Sequence, residues 1–294
     1  MPVAPRLPSW IRVRLKTGED FRAVRDLVGE THLHTVCEEA RCPNIFECWN
    51  RRTATFMILG DVCTRACRFC AVTSGRPTYL DLGEPRRVAA AVARLQLRHA
   101  VITSVDRDDL SDGGSEIFAR TIRAIRQVSP ETTVEVLTPD FGGQLAAVDV
   151  VVRAGPEIFD HNTETVPRLY SRIRPKAVYE HSLGLLRHVK SQAPGIVTKS
   201  GVMVGLGETH EELLGVFEDM REHQVDVLTV GQYLRPTPRH APVQRYYHPD
   251  EFGELRAAAL EMGFAHVESG PLVRSSYHAD QQIPQARPKD QLAR

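Results

Sequence analysis

Cys63-Thr64-Arg65-Ala66-Cys67-Arg68-Phe69-Cys70 reads Cys-x3-Cys-x2-Cys, and it follows the apolar run Thr55-Phe56-Met57-Ile58-Leu59-Gly60. That run predicts a strand. The loop after it then offers three thiolates to one metal centre. A structural zinc takes four protein ligands, and ordinary iron–sulfur clusters take four cysteines. A three-cysteine loop leaves one iron open for another ligand. Zinc ribbons use paired Cys-x2–4-Cys units, so this tight triplet argues against a zinc knuckle with a borrowed fourth ligand. Plain structural thiols are the blander alternative.

A second group lies upstream, in Cys37-Glu38-Glu39-Ala40-Arg41-Cys42-Pro43-Asn44-Ile45-Phe46-Glu47-Cys48-Trp49-Asn50. It reads Cys-x4-Cys-x5-Cys and is also one ligand short of a closed site. All 6 cysteines of the chain lie between Cys37 and Cys70. A disulfide framework would spread them along the sequence. Clustering in a reducing compartment favours metal binding instead.

Composition bounds the rest. The chain has 294 residues, 37 Lys plus Arg and 37 Asp plus Glu, for a net charge of zero. No general basic surface points to nucleic acid or to an anionic membrane. No run is long enough to span a bilayer, and Met1-Pro2-Val3-Ala4-Pro5-Arg6-Leu7-Pro8 lacks the apolar core of a signal peptide. The expected location is the cytoplasm.

Periodicity predicts an extended arm at Pro8-Ser9-Trp10-Ile11 that docks its Trp, and a short helix over 20–30. After Cys70, helices are predicted over 88–97, 115–128 (capped by Ser115), 177–192, 209–223 and 249–262. Thr209-x2-Glu212 has the form of a capping box. Strands are predicted over 99–104, 132–137, 148–153, 196–204 and 225–233. Alternating strands and helices imply βαβ units and a parallel sheet. The expected fold is α/β: a partial (β/α)6 TIM-like barrel over 53–265, preceded by a cysteine-rich extension over 1–52 and followed by a tail over 266–294. In such barrels function gathers at the C-terminal ends of strands. Thr103, Ser104, Asn162, Glu164, Lys199 and Gln232 are expected there. Asp106, Asp108 and Asp109 form an acidic loop, either a solvated turn or a contact for a ligand amine or ribose. Gly205-Leu206-Gly207-Glu208 lacks the Gly-Lys-Ser/Thr of a phosphate loop and reads as a tight turn before a helix.

The Cys63 triplet, with Phe69 before its last cysteine, resembles the radical S-adenosylmethionine superfamily. There the open iron chelates the amino and carboxylate groups of S-adenosylmethionine. Taken together, the two cysteine groups resemble lipoyl synthases. So do Cys42-Pro43-Asn44-Ile45, Glu47-Cys48-Trp49, the run from Thr53 to Gly60, and Ile102-Thr103-Ser104-Val105-Asp106-Arg107-Asp108-Asp109-Leu110. The likeness continues through His161-Asn162-Thr163-Glu164-Thr165-Val166-Pro167, Thr198-Lys199-Ser200-Gly201, Gly205-Leu206-Gly207-Glu208-Thr209, Gly231-Gln232-Tyr233-Leu234 and Arg274-Ser275-Ser276-Tyr277. It departs at positions such as Arg41 and Asp160.

The resemblance implies two 4Fe–4S clusters and S-adenosylmethionine as cofactors. Cys63, Cys67 and Cys70 would hold the cluster that reduces S-adenosylmethionine to a 5′-deoxyadenosyl radical. That radical would take hydrogen from carbons 6 and 8 of an octanoyl chain amide-linked to a protein lysine. Cys37, Cys42 and Cys48, with Ser276 of the tail closing over the site, would hold an auxiliary cluster that supplies both sulfurs. Thr103, Ser104, Asn162 and Glu164 would contact S-adenosylmethionine, and Arg174 would pair with its carboxylate. The implied partners are octanoylated carriers (lipoyl domains of 2-oxoacid dehydrogenases and the glycine-cleavage H protein), an electron donor and an iron–sulfur assembly carrier, with no nucleic acid and no membrane. A biotin synthase relative should lack the Cys-x4-Cys-x5-Cys arm. A plain metal-binding module would not need a barrel behind its thiols.

Overall fold

The computed structural model describes residues 7–13, 17–51 and 53–282. The start of the segment read for a signal peptide and the end of the expected tail lie outside these residues. Glu19–Glu30 (α1) presents Phe21, Val24, Leu27 and Val28 to the core, a helical spacing. His34–Thr35 (β1) then leads into Val36–Glu39 (α2), whose first turn is capped by the Thr35 hydroxyl, 3.3 Å from the Glu38 amide. Ile45–Asn50 (α3) completes the N-terminal layer.

Thr55–Ile58 (β2) is buried at every position, as expected of a strand covered on both faces. It pairs antiparallel with β1. The chain then repeats a strand followed by helices: His99–Ser104 (β3) after Glu84–Leu95 (α4), Thr133–Leu137 (β4) after Ser115–Val128 (α5), and Ile158–Asp160 (β5) after Leu145–Arg153 (α6). Tyr170–Ile173 (α7) and Tyr179–Gln192 (α8) precede Val197–Val204 (β6). His210–Glu222 (α9) precedes Val227–Gln232 (β7), and Pro249–Glu261 (α10) precedes His266–Gly270 (β8). Strands β2 to β8 are all parallel and lie side by side in chain order. Among the described residues β8 does not pair back onto β1 or β2, so the barrel is open.

Several expectations need correction. Residues 148–153 are not a strand but part of α6. The β-branched run misleads, yet Ala147, Val148, Val151 and Val152 share one buried helical face. The fourth parallel strand is the three-residue β5, which ends directly before His161. The stretch expected as a tail begins with β8, whose mixed burial hid it from a search for apolar runs. The barrel therefore reaches Gly270. Ser115 is the first residue of α5 and does not cap it. Asp112 accepts from the Gly114 and Glu116 amides, both at 3.0 Å. Gly114 itself stands at φ 89, where a Cβ would meet Leu59 Cδ1 at 2.3 Å. The capping box on α9 is present. The N-terminal arm does dock its Trp: Trp10 Nε1 donates to the Tyr247 carbonyl at 3.1 Å.

Candidate active site at the open end of the barrel

Most of the residues that line the site lie at or just after the C-terminal ends of strands or come from the N-terminal segment and the C-terminal tail. The Cys63 loop is fastened first. Val62 and Cys63 pair with Thr73 and Ser74 in a short parallel ladder. The loop's Arg65 is buried between acidic side chains. Its Nε and Nη2 donate to Asp108 at 2.8–3.1 Å, and Nη1 and Nη2 donate to Asp140 at 2.8 and 2.6 Å. Asp106 Oδ1 lies 3.3 Å from the Arg65 Nε. This fork-to-fork pairing joins the thiol loop to the ends of β3 and β4. Burial raises the Asp140 carboxyl, but the Arg65 bonds outweigh it and hold it at about 2.

Asp108 and Asp109 are therefore spent on Arg65 and Arg107, the latter through bonds of 2.8 Å. They fasten loops. Asp106 does face the cavity, and its amide donates to Cys63 Sγ at 3.3 Å. The Arg65 amide donates to the same sulfur at 3.4 Å. The other end of the loop is held by Arg68 N to Ile173 O and Ala241 N to Arg68 O, both 2.8 Å.

A cavity of about 530 Å³ opens beside this loop. Cys63, Cys67 and Cys70 line it, together with Thr103, Ser104, Asn162, Glu164 and Arg174. The structure thus gathers these eight residues around one space. Four buried atoms of lining residues there lack any partner: Ser104 Oγ, Thr138 Oγ1, Asn162 Oδ1 and Arg174 Nε. Unsatisfied buried polar groups at one cavity fit a polar ligand. Arg174 Nη1 donates to the carbonyls of Asn162 and Thr163 at 3.0 and 3.2 Å. Thr103 donates to the Leu137 carbonyl at 2.8 Å. Glu164 has φ 71, an uncommon conformation for a residue with a side chain, and burial pushes its carboxyl up.

His161 holds this wall. Burial lowers its pKa to about 4, so the ring is neutral. Nδ1 donates to the Thr138 carbonyl at 2.8 Å, leaving Nε2 to accept from Ser182 at 3.0 Å. Asp160, one residue earlier, is fully buried, and burial raises it well above the usual carboxylate range despite Lys199. Lys199 and Gln232 do not reach the cavity. Lys199 Nζ pairs with Glu135 at 2.8 Å inside the barrel, and the Gln232 side chain bridges the carbonyls of Val204, Tyr233 and Arg245 at 3.1 Å.

The second thiol group borders the same cavity through Cys37 and Cys42, as does Ser276, and it also lines a smaller void. Cys37, Cys42 and Cys48 surround a space of about 10 Å³ together with Ser276 and Arg274. Ser275 is absent from that lining. It faces the larger cavity and accepts from Asn162 Nδ2 at 2.7 Å. The tail is tied across both groups. Asn44 Nδ2 donates to the Leu272 carbonyl at 2.6 Å, and Tyr277 and His278 reach Glu47 at 3.2 and 3.1 Å. Val273 passes so close to β7 that a Cβ on Gly231 would lie 2.2 Å from its carbonyl oxygen.

Burial pushes the Cys37 and Cys70 thiols up to about 12 and Cys67 to about 11. Buried thiols of this kind give up their protons to a bound cation. Among the described residues no three His, Cys, Asp or Glu side chains converge on a single metal ion. A 4Fe–4S cluster does not require that, because each thiolate takes a different iron. Sulfur donors in two separate triplets, one with a hydroxyl beside it, fit two such clusters. Arg65 and Arg274 escaped sequence reasoning as site residues. No local pattern marked the first, because its acidic partners Asp108 and Asp140 are brought to it only by the fold. Arg274 stood inside a quoted motif and lines both spaces.

The family model described as the radical SAM superfamily matches residues 57–220. The model for the N-terminal domain of lipoyl synthase of the radical SAM family matches residues 3–42. A protein named lipoyl synthase from Rubrobacter xylanophilus is 60% identical over 280 residues, covering 95% of this chain and 87% of its own length. One of the same name from Bacillus subtilis is 56% identical over 287 residues, covering 97% and 96%. Among solved structures, methylornithine synthase PylB aligns with a TM-score of 0.54 at 14% identity over 84% of this chain and 81% of its own. HydG, a maturase of the FeFe-hydrogenase, aligns with a TM-score of 0.56 at 12% identity, covering 90% and 64%. At such identities these two structures speak for the fold alone.

Proposed function

Because the chain belongs to the lipoyl synthase family of radical S-adenosylmethionine enzymes, we propose that Cys63, Cys67 and Cys70 hold the cluster that binds S-adenosylmethionine, and that Cys37, Cys42, Cys48 and Ser276 hold the auxiliary cluster. The enzyme is a sulfurtransferase of lipoate biosynthesis that uses two 4Fe–4S clusters and S-adenosylmethionine. It inserts sulfur at carbons 6 and 8 of an octanoyl group carried on a protein lysine. When bound, the cofactors supply the radical that opens unactivated C–H bonds and the sulfur that replaces hydrogen.

The chain's own part is placement. Arg65 fixes the thiol loop by pairing with Asp108 and Asp140, and the Arg65 and Asp106 amides donate to Cys63 Sγ. Ser104, Asn162 and Arg174 offer their unpartnered atoms to the polar end of S-adenosylmethionine, with Thr103 and Glu164 beside them. The tail from Val273 to Ser276 roofs the cavity and limits water near a reactive species.

One observation carries the assignment of roles. Cys63, Cys67 and Cys70 line only the larger cavity, whereas Cys37, Cys42, Cys48 and Ser276 together line the small void that adjoins it, and Ser275 is bonded to Asn162. The substrate is an octanoylated lipoyl carrier protein. An electron donor and an iron–sulfur carrier that rebuilds the auxiliary cluster complete the proposed set of partners. No helix among the described residues is long and apolar enough to cross a membrane, and cytoplasmic residence is proposed with the rest. The test is an anaerobic assay of the reconstituted protein with S-adenosylmethionine, a reductant and an octanoylated lipoyl-domain peptide. Thiolated peptide is the expected product. Uncoupled S-adenosylmethionine cleavage with no sulfur in the peptide would point to a different radical reaction.

A further inference from the structure

The segment after the Cys63 loop carries an exposed surface that the functional site does not use. Tyr79 is 60% exposed, Leu80 37% and Leu82 61%, three large apolar side chains within four positions. Arg76 and Arg86 flank them, both exposed. Apolar side chains clustered in this way on a protein surface mark a contact site, and Tyr and Arg are the side chains that interfaces favour.

The surface is ordered from beneath. Arg107 donates to the Tyr79 carbonyl at 3.3 Å while its Nη2 pairs with Asp109 at 2.8 Å. Asp81 accepts from Arg87 at 2.9 Å and from the Gly83 amide at 2.8 Å. Such a platform needs little ordering on contact.

Its connection to the thiol loop is direct. The Gly75 amide donates to the Cys63 carbonyl at 2.8 Å, and Ser74 Oγ donates to the Arg65 carbonyl at 2.9 Å. Apart from Ser74, none of residues 73–86 lines the 530 Å³ cavity. The segment that carries this face is therefore hydrogen-bonded to Cys63 through Gly75, and apart from Ser74 it lies outside the space in which the acyl chain must react.

Resting on the functional reading above, we propose that residues 73–86 dock a one-electron carrier protein with an acidic face. The reaction takes its electrons singly from outside the chain, and the acylated carrier protein must sit over the cavity mouth. A second face, beside Cys63, lets a reductant bind while substrate is in place. One electron leaves the carrier and one enters the centre held by Cys63, Cys67 and Cys70, and no bond forms at the interface. Small, salt-sensitive contacts are characteristic of electron-transfer encounters.

The test uses the reconstituted holoenzyme and flavodoxin, an acidic one-electron flavoprotein, as probe. Two variants are compared with the wild type, Arg76→Glu/Arg86→Glu and Tyr79→Ala/Leu82→Ala. Binding of flavodoxin should weaken about tenfold or more in each, and added salt should weaken the wild type but not the charge-reversed variant. Formation of 5′-deoxyadenosine should fall when reduced flavodoxin is the electron source and stay at the wild-type rate with dithionite. A rise in KM for the octanoylated domain, with flavodoxin binding intact, would show instead that this face docks the substrate carrier. Unchanged flavodoxin binding in both variants would overturn the proposal outright. If the wild type fails with dithionite as well, the functional reading is at fault and not the docking surface.

Discussion

The Asn162 side-chain amide donates to the Ser275 hydroxyl at 2.7 Å, a bond between residues 113 positions apart. It fixes which way the serine pair faces. Ser275 lines only the larger cavity, whereas its neighbour Ser276 lines that cavity and also the small void beside Cys37, Cys42 and Cys48. Ser276→Ala should therefore abolish thiolated product and lower iron and sulfide content, while 5′-deoxyadenosine still forms. Ser275→Ala should be milder, with iron content unchanged. Iron, sulfide and product measured on both variants check this.

The clamp on the thiol loop should be worth more than a surface ion pair. Arg65→Met would leave Asp140 buried and without its partner. Breaking a buried pair costs roughly 3–5 kcal/mol. Arg65→Lys should recover part of that, since a lysine cannot reproduce the two-pronged contacts. Thermal unfolding gives the order wild type, Lys, Met. The rate at which a chelator strips iron should follow the reverse order.

Asp140 also sets an acid limit. Its folded pKa of about 2 lies below the ordinary 3.8. A group lowered by folding contributes stability that is complete above its ordinary pKa and is lost as pH falls through the folded value. The shift corresponds to about 2 kcal/mol. Urea unfolding of the wild type should weaken between about pH 4 and 2 by that amount more than Asp140→Asn. Parallel pH curves for the two proteins would contradict the assignment.

Gly231 tests the roof over the cavity. Any Cβ there would press on the Val273 carbonyl at 2.2 Å. Gly231→Ala should lift the tail, making residues 271–282 more open to protease. Product should fall more than S-adenosylmethionine cleavage does, because Ser276 moves with the tail. A variant as resistant to protease as the wild type would show that the close approach is relieved elsewhere.

What the sequence disclosed followed the reach of its signals. Cys63, Cys67 and Cys70 sit within eight positions, so their spacing alone announces a metal centre. The capping box of Thr209 and Glu212 is equally local, and it is present. Arg65 and Asp140 are 75 positions apart, and only the return of each strand to the same end of the barrel brings them together. No local pattern contains that. Apolar runs located the buried strands but failed at two places. The run in α6 is β-branched yet lies on a helical face, and β8 is only partly buried at all its residues but Val267 and so lacks a run to find. The polar residues at the cavity were legible because strand ends in a βα barrel point to one face. Lys199 and Gln232, also on strands, are instead satisfied inside the fold, Lys199 by Glu135 and Gln232 by the backbone of Val204, Tyr233 and Arg245.

The central claim is that the two thiol groups divide the work. The direct measurement follows 5′-deoxyadenosine and thiolated octanoyl peptide together, in reconstituted Cys63→Ala and Cys37→Ala proteins, with isotopic sulfur loaded into the wild-type clusters. Cys63→Ala should form neither compound. Cys37→Ala should form 5′-deoxyadenosine without thiolated peptide, and the wild type should place the loaded isotope in its product. Thiolated peptide from Cys37→Ala, or wild-type product carrying sulfur from free sulfide, would contradict the account.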